Sequence, residues 1–390
     1  MAQDTDVTII GAGPYGLSVA AHLRARGVKY RIFGESMRFW RDMPVGVNLK
    51  SLAFANNIYV PKGGNTFPKW CVEQGLEDFE PCTMQSFATY GVEMQRRFVP
   101  DLEETNVTNV EMQGRKFAVT SASGERFYSR TVVASTGLSG LAHVPSELRD
   151  LGRDHLRHTF DISDYGAFRN KTVAVIGAGA SAIEAGALVQ EAGGSSEVFA
   201  RGEEPVFHGR TPRVRSLWKR LKDPQSVLGP SRNGWILQHL PLLVHRLPVE
   251  RRTRIATSHY GPASPWWIQD RVLGKVPIHV RHELLEAGTS DNRVRLKFRA
   301  DEGDLRTVEV DSVIAGTGYD VDVARLAYLD RKMIPGIQCH QRAPVLNSHF
   351  ESSIPGLYFV GPLSFMSFGP MFRFVSGAEI TATRLARRLS

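Results

Sequence analysis

Val7-Thr8-Ile9-Ile10, then Gly11-Ala12-Gly13-Pro14-Tyr15-Gly16, and after a helical run Tyr30-Arg31-Ile32-Phe33-Gly34-Glu35, decide how this chain is read. An apolar strand runs into G-x-G-x-x-G. A helix with apolar positions at Leu17, Val19, Ala20 and Leu23 follows, and a second strand ends in a carboxylate 24 residues after Gly11. Together these make a complete dinucleotide-binding βαβ fingerprint. Gly11 permits the tight turn, Gly13 the approach of a pyrophosphate to the backbone, and Gly16 the close packing of helix on strand. Pro14 and Tyr15 open the helix, whose N-terminus faces the phosphates. Glu35 is placed to accept hydrogen bonds from a ribose.

The pattern returns at Lys171-Thr172-Val173-Ala174-Val175-Ile176, with Gly177-Ala178-Gly179-Ala180-Ser181-Ala182 and a helix through Val189. Its second strand ends at Val198-Phe199-Ala200-Arg201, and Gly177 to Arg201 is again 24 residues. The acid of the first copy has become an arginine. An acid suits a free 2′-hydroxyl and an arginine a 2′-phosphate, so the first site fits FAD and the second NADPH. The expected fold class is α/β with two Rossmann-like dinucleotide-binding domains, the NADPH domain inserted into the FAD domain. The boundaries read as 1–160 (FAD domain, first part), 161–314 (NADPH domain) and 315–390 (FAD domain, second part, with the C-terminal strand and helix).

Other candidate cofactor contacts surround these fingerprints. The stretch from Ser36 to Ser51 follows the ribose-reading strand and is rich in aromatic and cationic residues. It offers Ser36, Arg38, Trp40, Lys50 and Ser51 toward the adenosine and the ring, or packs as a surface loop. Thr131 to Ala134 reads as an apolar strand closing on Thr136-Gly137, and is expected at a sheet edge where the chain passes to the second domain. Val308 to Ile314 leads into Gly316-Thr317-Gly318-Tyr319, expected to bring the chain back, and Gly361 ends the last apolar strand. Arg210, Arg213, Arg215, Lys219, Arg220 and Lys222 serve either the 2′-phosphate or a solvated face.

Composition narrows the class. With 390 residues, 42% hydrophobic and 23% charged, the chain has material for two domains and an ordinary core. It has no apolar run of transmembrane length, and Asp4 and Asp6 leading into the first strand leave no room for a signal peptide, so the expected location is cytoplasmic with no membrane partner. Cys71, Cys82 and Cys339 form no CxxC, so neither a redox dithiol nor a zinc site is read from their spacing. A net charge of +8 comes with no nucleic-acid motif and concentrates in Arg201 to Arg254, where an anionic cofactor accounts for it. Whether the protein forms a homo-oligomer is not legible.

Over nearly its whole length the chain resembles the class B flavin monooxygenases, meaning the flavin-containing monooxygenases and the lysine and ornithine N-hydroxylases. The resemblance rests on Gly11 to Gly16, Phe39-Trp40, Met43-Pro44-x-Gly46, Gly177 to Ala182, and Gly316-Thr317-Gly318-Tyr319, which looks like the family's ATGY element. Gly361-Pro362 lacks the aspartate that disulfide reductases carry there. The family's F-x-G-x-x-x-H signature is only partial, because Gly152 and Asp154 replace its phenylalanine and glycine ahead of His158. Membership implies that NADPH reduces FAD, that O2 then gives a C4a-(hydro)peroxide, and that a small soft nucleophile takes one oxygen at nitrogen or sulfur. By the same resemblance Asn57, or its neighbour Asn56, matches an asparagine beside the flavin. A reductase or dehydrogenase passing electrons to a quinone or protein would share every motif, whereas a non-catalytic flavin sensor could lose the second fingerprint, which is intact. Phe365 to Phe372 suggests an apolar substrate pocket, or core packing.

Overall fold

The computed structural model describes residues 4–210, 212–258 and 264–390. In chain order its main elements are β1 (Thr5–Ile10), α1 (Pro14–Arg24), β2 (Tyr30–Phe33), α2 (Met84–Phe98), β3 (Val107–Gln113), β4 (Lys116–Ser121), β5 (Arg126–Ala134), β6 (Leu156–His158), β7 (Thr172–Ile176), α3 (Ala180–Glu191), β8 (Ser195–Phe199), α4 (Val249–Thr257), β9 (Ile278–His279), β10 (Glu283–Ser290), β11 (Arg293–Arg299), β12 (Leu305–Val310), β13 (Ser312–Ala315), β14 (Leu357–Phe359), α5 (Phe365–Phe368) and α6 (Ala378–Leu389).

The first sheet runs β2-β1-β5-β4-β3, with β14 also on β5. Val7, Ile9 and Ile10 are all buried, as expected for a parallel strand covered on both faces. The segment read as an edge strand is instead the C-terminal half of the nine-residue β5, at the centre of the sheet. Along one side it pairs with β1, and along the other it pairs first with β4, antiparallel, and then with β14, parallel. An amphipathic antiparallel half joined without a break to an apolar parallel half reads locally as two strands.

The second sheet, β9-β8-β7-β13-β6, is parallel throughout, and β10-β11-β12 form an antiparallel meander beside it. This unit resembles the first, with β9 added outside β8 and the meander set apart as a sheet of its own. Where β5 is continuous, β12 and β13 are broken at Asp311, whose carboxylate accepts hydrogen bonds from the Thr172 N–H (2.7 Å) and hydroxyl (2.8 Å) at the start of β7. In β6, ahead of the boundary read at residue 160, Leu156, Arg157 and His158 pair with Val313, Ile314 and Ala315, so this strand lies in the second sheet. Three residues of mixed exposure carry too little periodicity to be assigned from sequence. One apolar core runs through both units, from Ile9 and Val133 to Val175 and Ile183, and a smaller one lies under the meander around Leu296 and Phe298. Among the described residues no helix is long and apolar enough to cross a membrane.

Candidate functional site: two matched nucleotide cradles

The two fingerprints fold alike at their turns. The Gly11 N–H donates to the Phe33 carbonyl (2.8 Å) and the Gly177 N–H to the Phe199 carbonyl (2.9 Å), which puts Glu35 and Arg201 at equivalent positions two residues farther on. Gly11 at φ +113° and Gly177 at φ +134° occupy backbone that only glycine adopts without strain. Both helices start without a side-chain cap and without an acid in the first turn. Their leading N–H groups are therefore free to meet a phosphate. A Cβ at Gly13 would meet the Trp40 ring at 3.4 Å, and one at Gly179 would meet nothing within 4 Å. Ala180 and the exposed Ser181 open the second helix beside that space. These are cradles of the kind a dinucleotide backbone fills, and FAD and NADP(H) are the groups they fit.

The two residues expected to face a ribose differ in their engagement. Glu35 pairs with Arg38 (2.6 Å), which also reaches Asp42 (3.1 Å), so Arg38 orders the acid from the solvent side. Ser36 is buried and its hydroxyl has no partner among the described residues, a donor available to a ligand. Arg201 is exposed and makes no hydrogen bond or ion pair with any described residue. Arg210 and Arg213 in the basic run are held by Glu80 and Asp78, and Arg215 by the carbonyls of Lys219 and Asp223. Within the stretch from 201 to 215, Arg201 is thus the guanidinium that no described residue engages.

Several residues expected to touch cofactor make contacts within the protein. The Tyr15 hydroxyl donates to the carbonyls of Phe374 (2.7 Å) and Phe372 (3.1 Å), tying α1 to the C-terminal loop, and its ring packs on Gly361. The Lys50 ammonium pairs with Glu184 on α3 and donates to the Asn48 carbonyl (2.8 Å). Asn56 spends its amide protons on the Ser51 hydroxyl and the Leu52 carbonyl (3.0 Å each), and Asn57 donates to Phe54 O (3.3 Å) and accepts from the Phe67 N–H (2.8 Å). Both asparagines fold the loop on itself, because a short run of polar residues between turns satisfies its own backbone first.

Glu184 is the joint that sequence reasoning missed. Its side chain is 3% exposed, and it receives Lys50, Arg271 (3.5 Å) and the Asn48 N–H (3.4 Å). The carboxylate belongs to the second unit, and Lys50 and Asn48 to the first. Glu184→Gln is expected to lower stability by about 1–3 kcal/mol, read from the denaturant midpoint, because it leaves the partly buried Lys50 without a carboxylate, whereas Arg271 keeps Glu191 (2.8 Å). An unchanged midpoint would mean the joint carries no energy.

The chain enters and leaves the second unit through one neck. The Thr317 hydroxyl donates to the His143 carbonyl, the His143 N–H donates to the Gly318 carbonyl (2.8 Å), and Ala142 bridges Tyr319. Thr136 and Gly137 lie at the end of β5 leading to this neck. His158 Nδ1 accepts from the Phe160 N–H (3.1 Å), so Nε2 carries the proton and donates to the Gly318 carbonyl (3.0 Å). Burial pushes its pKa below the ordinary value, which keeps the ring neutral near pH 7. Aromatic contacts then run Tyr319–Phe160–Phe39–Trp40, linking the neck to Gly13.

Cys71 and Cys82 lie with their sulfurs 3.7 Å apart, which their spacing does not signal. Both are buried, and burial, then the neighbouring Cys82, push the Cys71 thiol up to about 12, so neither is a thiolate nucleophile. Among the described residues no group of acids, histidines and cysteines could hold a metal.

A family model described as pyridine nucleotide-disulphide oxidoreductase matches residues 5–376. The chain belongs to that family. Among curated relatives, ferredoxin–NADP reductase 3 of Lysinibacillus sphaericus is 27% identical over 183 residues, covering 46% of each chain. The ferredoxin–NADP reductase of Symbiobacterium thermophilum is 25% identical over 369 residues, 92% of this chain and 84% of that one. The chain thus spans about half the length of the first relative and most of the second. Among solved structures, the ornithine hydroxylase of Pseudomonas aeruginosa superposes with a TM-score of 0.78 at 16% identity over 99% of both chains. The bacillithiol disulfide reductase of Staphylococcus aureus gives 0.64 at 18% identity over 99% of this chain and 98% of that one. These likenesses bear out the two-domain flavoprotein fold and its resemblance to the class B monooxygenases at the level of the fold.

Proposed function

We propose that this oxidoreductase is an NADPH-dependent FAD monooxygenase that places one oxygen atom of O2 on the nitrogen or sulfur of a small soft nucleophile. The balance is NADPH, a proton, O2 and substrate giving NADP⁺, water and the oxygenated product. When bound, reduced FAD supplies the electrons that activate oxygen; the chain's task is to hold the ring, exclude water and admit the substrate.

The observation that carries this reading is the dry loop after Gly361. Phe365, Phe368, Met371 and Phe372 are each at most 2% exposed. The loop is tied to the first cradle through Tyr15 and roofed by α4 and the helix Pro241–His245. A cover of this kind suits a site that must keep an activated oxygen away from water. A reductase serving a protein acceptor needs an open edge on its flavin, and a disulfide reductase a reactive dithiol, which the buried Cys71 and Cys82 do not supply.

Reduction of a protein acceptor is the second reading, favoured by the ferredoxin–NADP reductase names of the curated relatives. Stopped-flow spectra separate the two. FAD-loaded protein reduced anaerobically with NADPH and mixed with O2 is expected to show an absorbance band, distinct from both oxidised and reduced flavin, that outlives the mixing time. Direct return to oxidised flavin with stoichiometric peroxide, together with fast electron transfer to ferredoxin or a quinone, would move the assignment to the reductase.

A further inference from the structure

Between the second fingerprint and α4 the chain is one-sided in charge. From Pro205 to Val249 it carries eight lysines and arginines, and Asp223 is the one acid. Within that span Val214, Leu217, Trp218 and Leu221 follow the i, i+3, i+4, i+7 spacing of a helix face, and the last three lie on the helix Leu217–Lys222, which the Ser216 hydroxyl caps. Such a face ordinarily packs on a core. Here the four side chains are 87%, 75%, 82% and 72% exposed. The cause lies in how the segment is tied down. Arg210 pairs with Glu80, Arg213 with Asp78 (3.1 Å) and Glu77 (3.6 Å), and Arg215 donates to the carbonyls of Asp223 (2.7 Å) and Lys219 (3.2 Å). Its charged groups hold the segment, and its apolar ones are left to the outside. Lys219, Arg220 and Lys222 are exposed on the same helix, and none forms an ion pair with a described residue.

A lone exposed leucine is ordinary, whereas four large apolar side chains gathered on one face mark a surface that something else covers. A second copy of the chain is a poor cover, because a two-fold contact through this face sets Lys219, Arg220 and Lys222 against their own counterparts. An apolar stripe with a tryptophan and flanking cations matches the boundary of an anionic bilayer. Acyl chains take the leucines, the interface takes the indole, and the lipid phosphates take the cations.

We propose that the helix Leu217–Lys222 lays this face into the headgroup layer of an anionic membrane and docks the protein there. Lying among headgroups requires no spanning helix, so a chain expected to have no membrane partner gains one at its surface. The docking does not depend on what the reduced flavin acts on.

Sedimentation of the FAD-loaded protein with vesicles is the test. Wild type is expected to sediment with vesicles of equal parts phosphatidylcholine and phosphatidylglycerol, and to stay in solution with phosphatidylcholine alone. Raising sodium chloride from about 0.1 M to about 1 M shortens the screening length from about 10 to about 3 Å and releases most of the bound protein. Trp218→Ser lowers the partition coefficient at least about tenfold, and Lys219→Gln, Arg220→Gln and Lys222→Gln together lower it roughly a hundredfold. Trp218→Ser keeps the far-ultraviolet circular dichroism of wild type and its rate of flavin reduction by NADPH.

No sedimentation of wild type with the anionic vesicles, equal sedimentation with phosphatidylcholine alone, or wild-type partitioning of Trp218→Ser would each overturn the proposal. So would a dimer in analytical ultracentrifugation that Trp218→Ser dissolves, which gives the face to a second copy. Loss of electron transfer to ferredoxin in that variant would give the face to a protein acceptor, and a raised KM for NADPH would give it to the nucleotide; either result overturns the membrane assignment.

Discussion

Gly13→Val is expected to give a folded but colourless protein. On one side of Gly13 a Cβ would just touch the Trp40 ring at 3.4 Å, which leaves no room for valine's further methyl groups there, and the other side is the path by which a pyrophosphate reaches the N-terminus of α1. Valine's methyl groups take up that path. Overpacking of this kind costs about 1–3 kcal/mol against the ring alone, and the lost N–H contacts to phosphate about 1.5–3 kcal/mol each. Flavin affinity should therefore fall by at least about two orders of magnitude. The check is the flavin absorbance that survives gel filtration, with far-ultraviolet circular dichroism to confirm folding. A yellow variant with wild-type flavin content would refute the cradle. Gly16 is no substitute for this test, because a Cβ there would overlap the Gly11 carbonyl and the fold itself would move.

Arg201→Ala is expected to raise the KM for NADPH roughly ten- to hundredfold and to leave NADH nearly untouched. The geometry sharpens the charge argument. Arg201 stands two residues past the carbonyl that fixes the second glycine turn, where Glu35 stands in the first, and no described residue competes for its guanidinium. A charge-assisted fork to a 2′-phosphate contributes about 1.5–3 kcal/mol, which sets the factor, and NADH offers it nothing equivalent. Steady-state oxidation of both nucleotides by wild type and variant decides the point. Equal use of the two by wild type would refute it, and an equal loss with both would assign Arg201 to the fold.

What the sequence made legible is local and periodic. Both glycine turns, the strands around them and the 24-residue interval to Glu35 and Arg201 follow from short-range rules, and the structure builds them as read. The features that escaped depend on distant contacts. Lys50 looks like a cofactor ligand in a basic loop, and only the fold sets it against Glu184, 134 residues away. The partnership of Cys71 and Cys82 needs the packing of the helix Phe67–Glu73 on the start of α2. Asn56 and Asn57 were legible as turn residues, and the turn is where their amides go. β5 hides as two strands because its sheet partners change along its length.

The neck at Ala142–His143 and Thr317–Tyr319 also sets how the molecule can move. Two strands crossing at one place, clamped by backbone bonds and the Thr317 hydroxyl, resist sliding past one another, whereas a few residues at such a crossing can absorb a turn. The apolar core that runs through both units works against such a turn, and Glu184, reached by Lys50 and the Asn48 N–H of the first unit, pins the second unit at one angle.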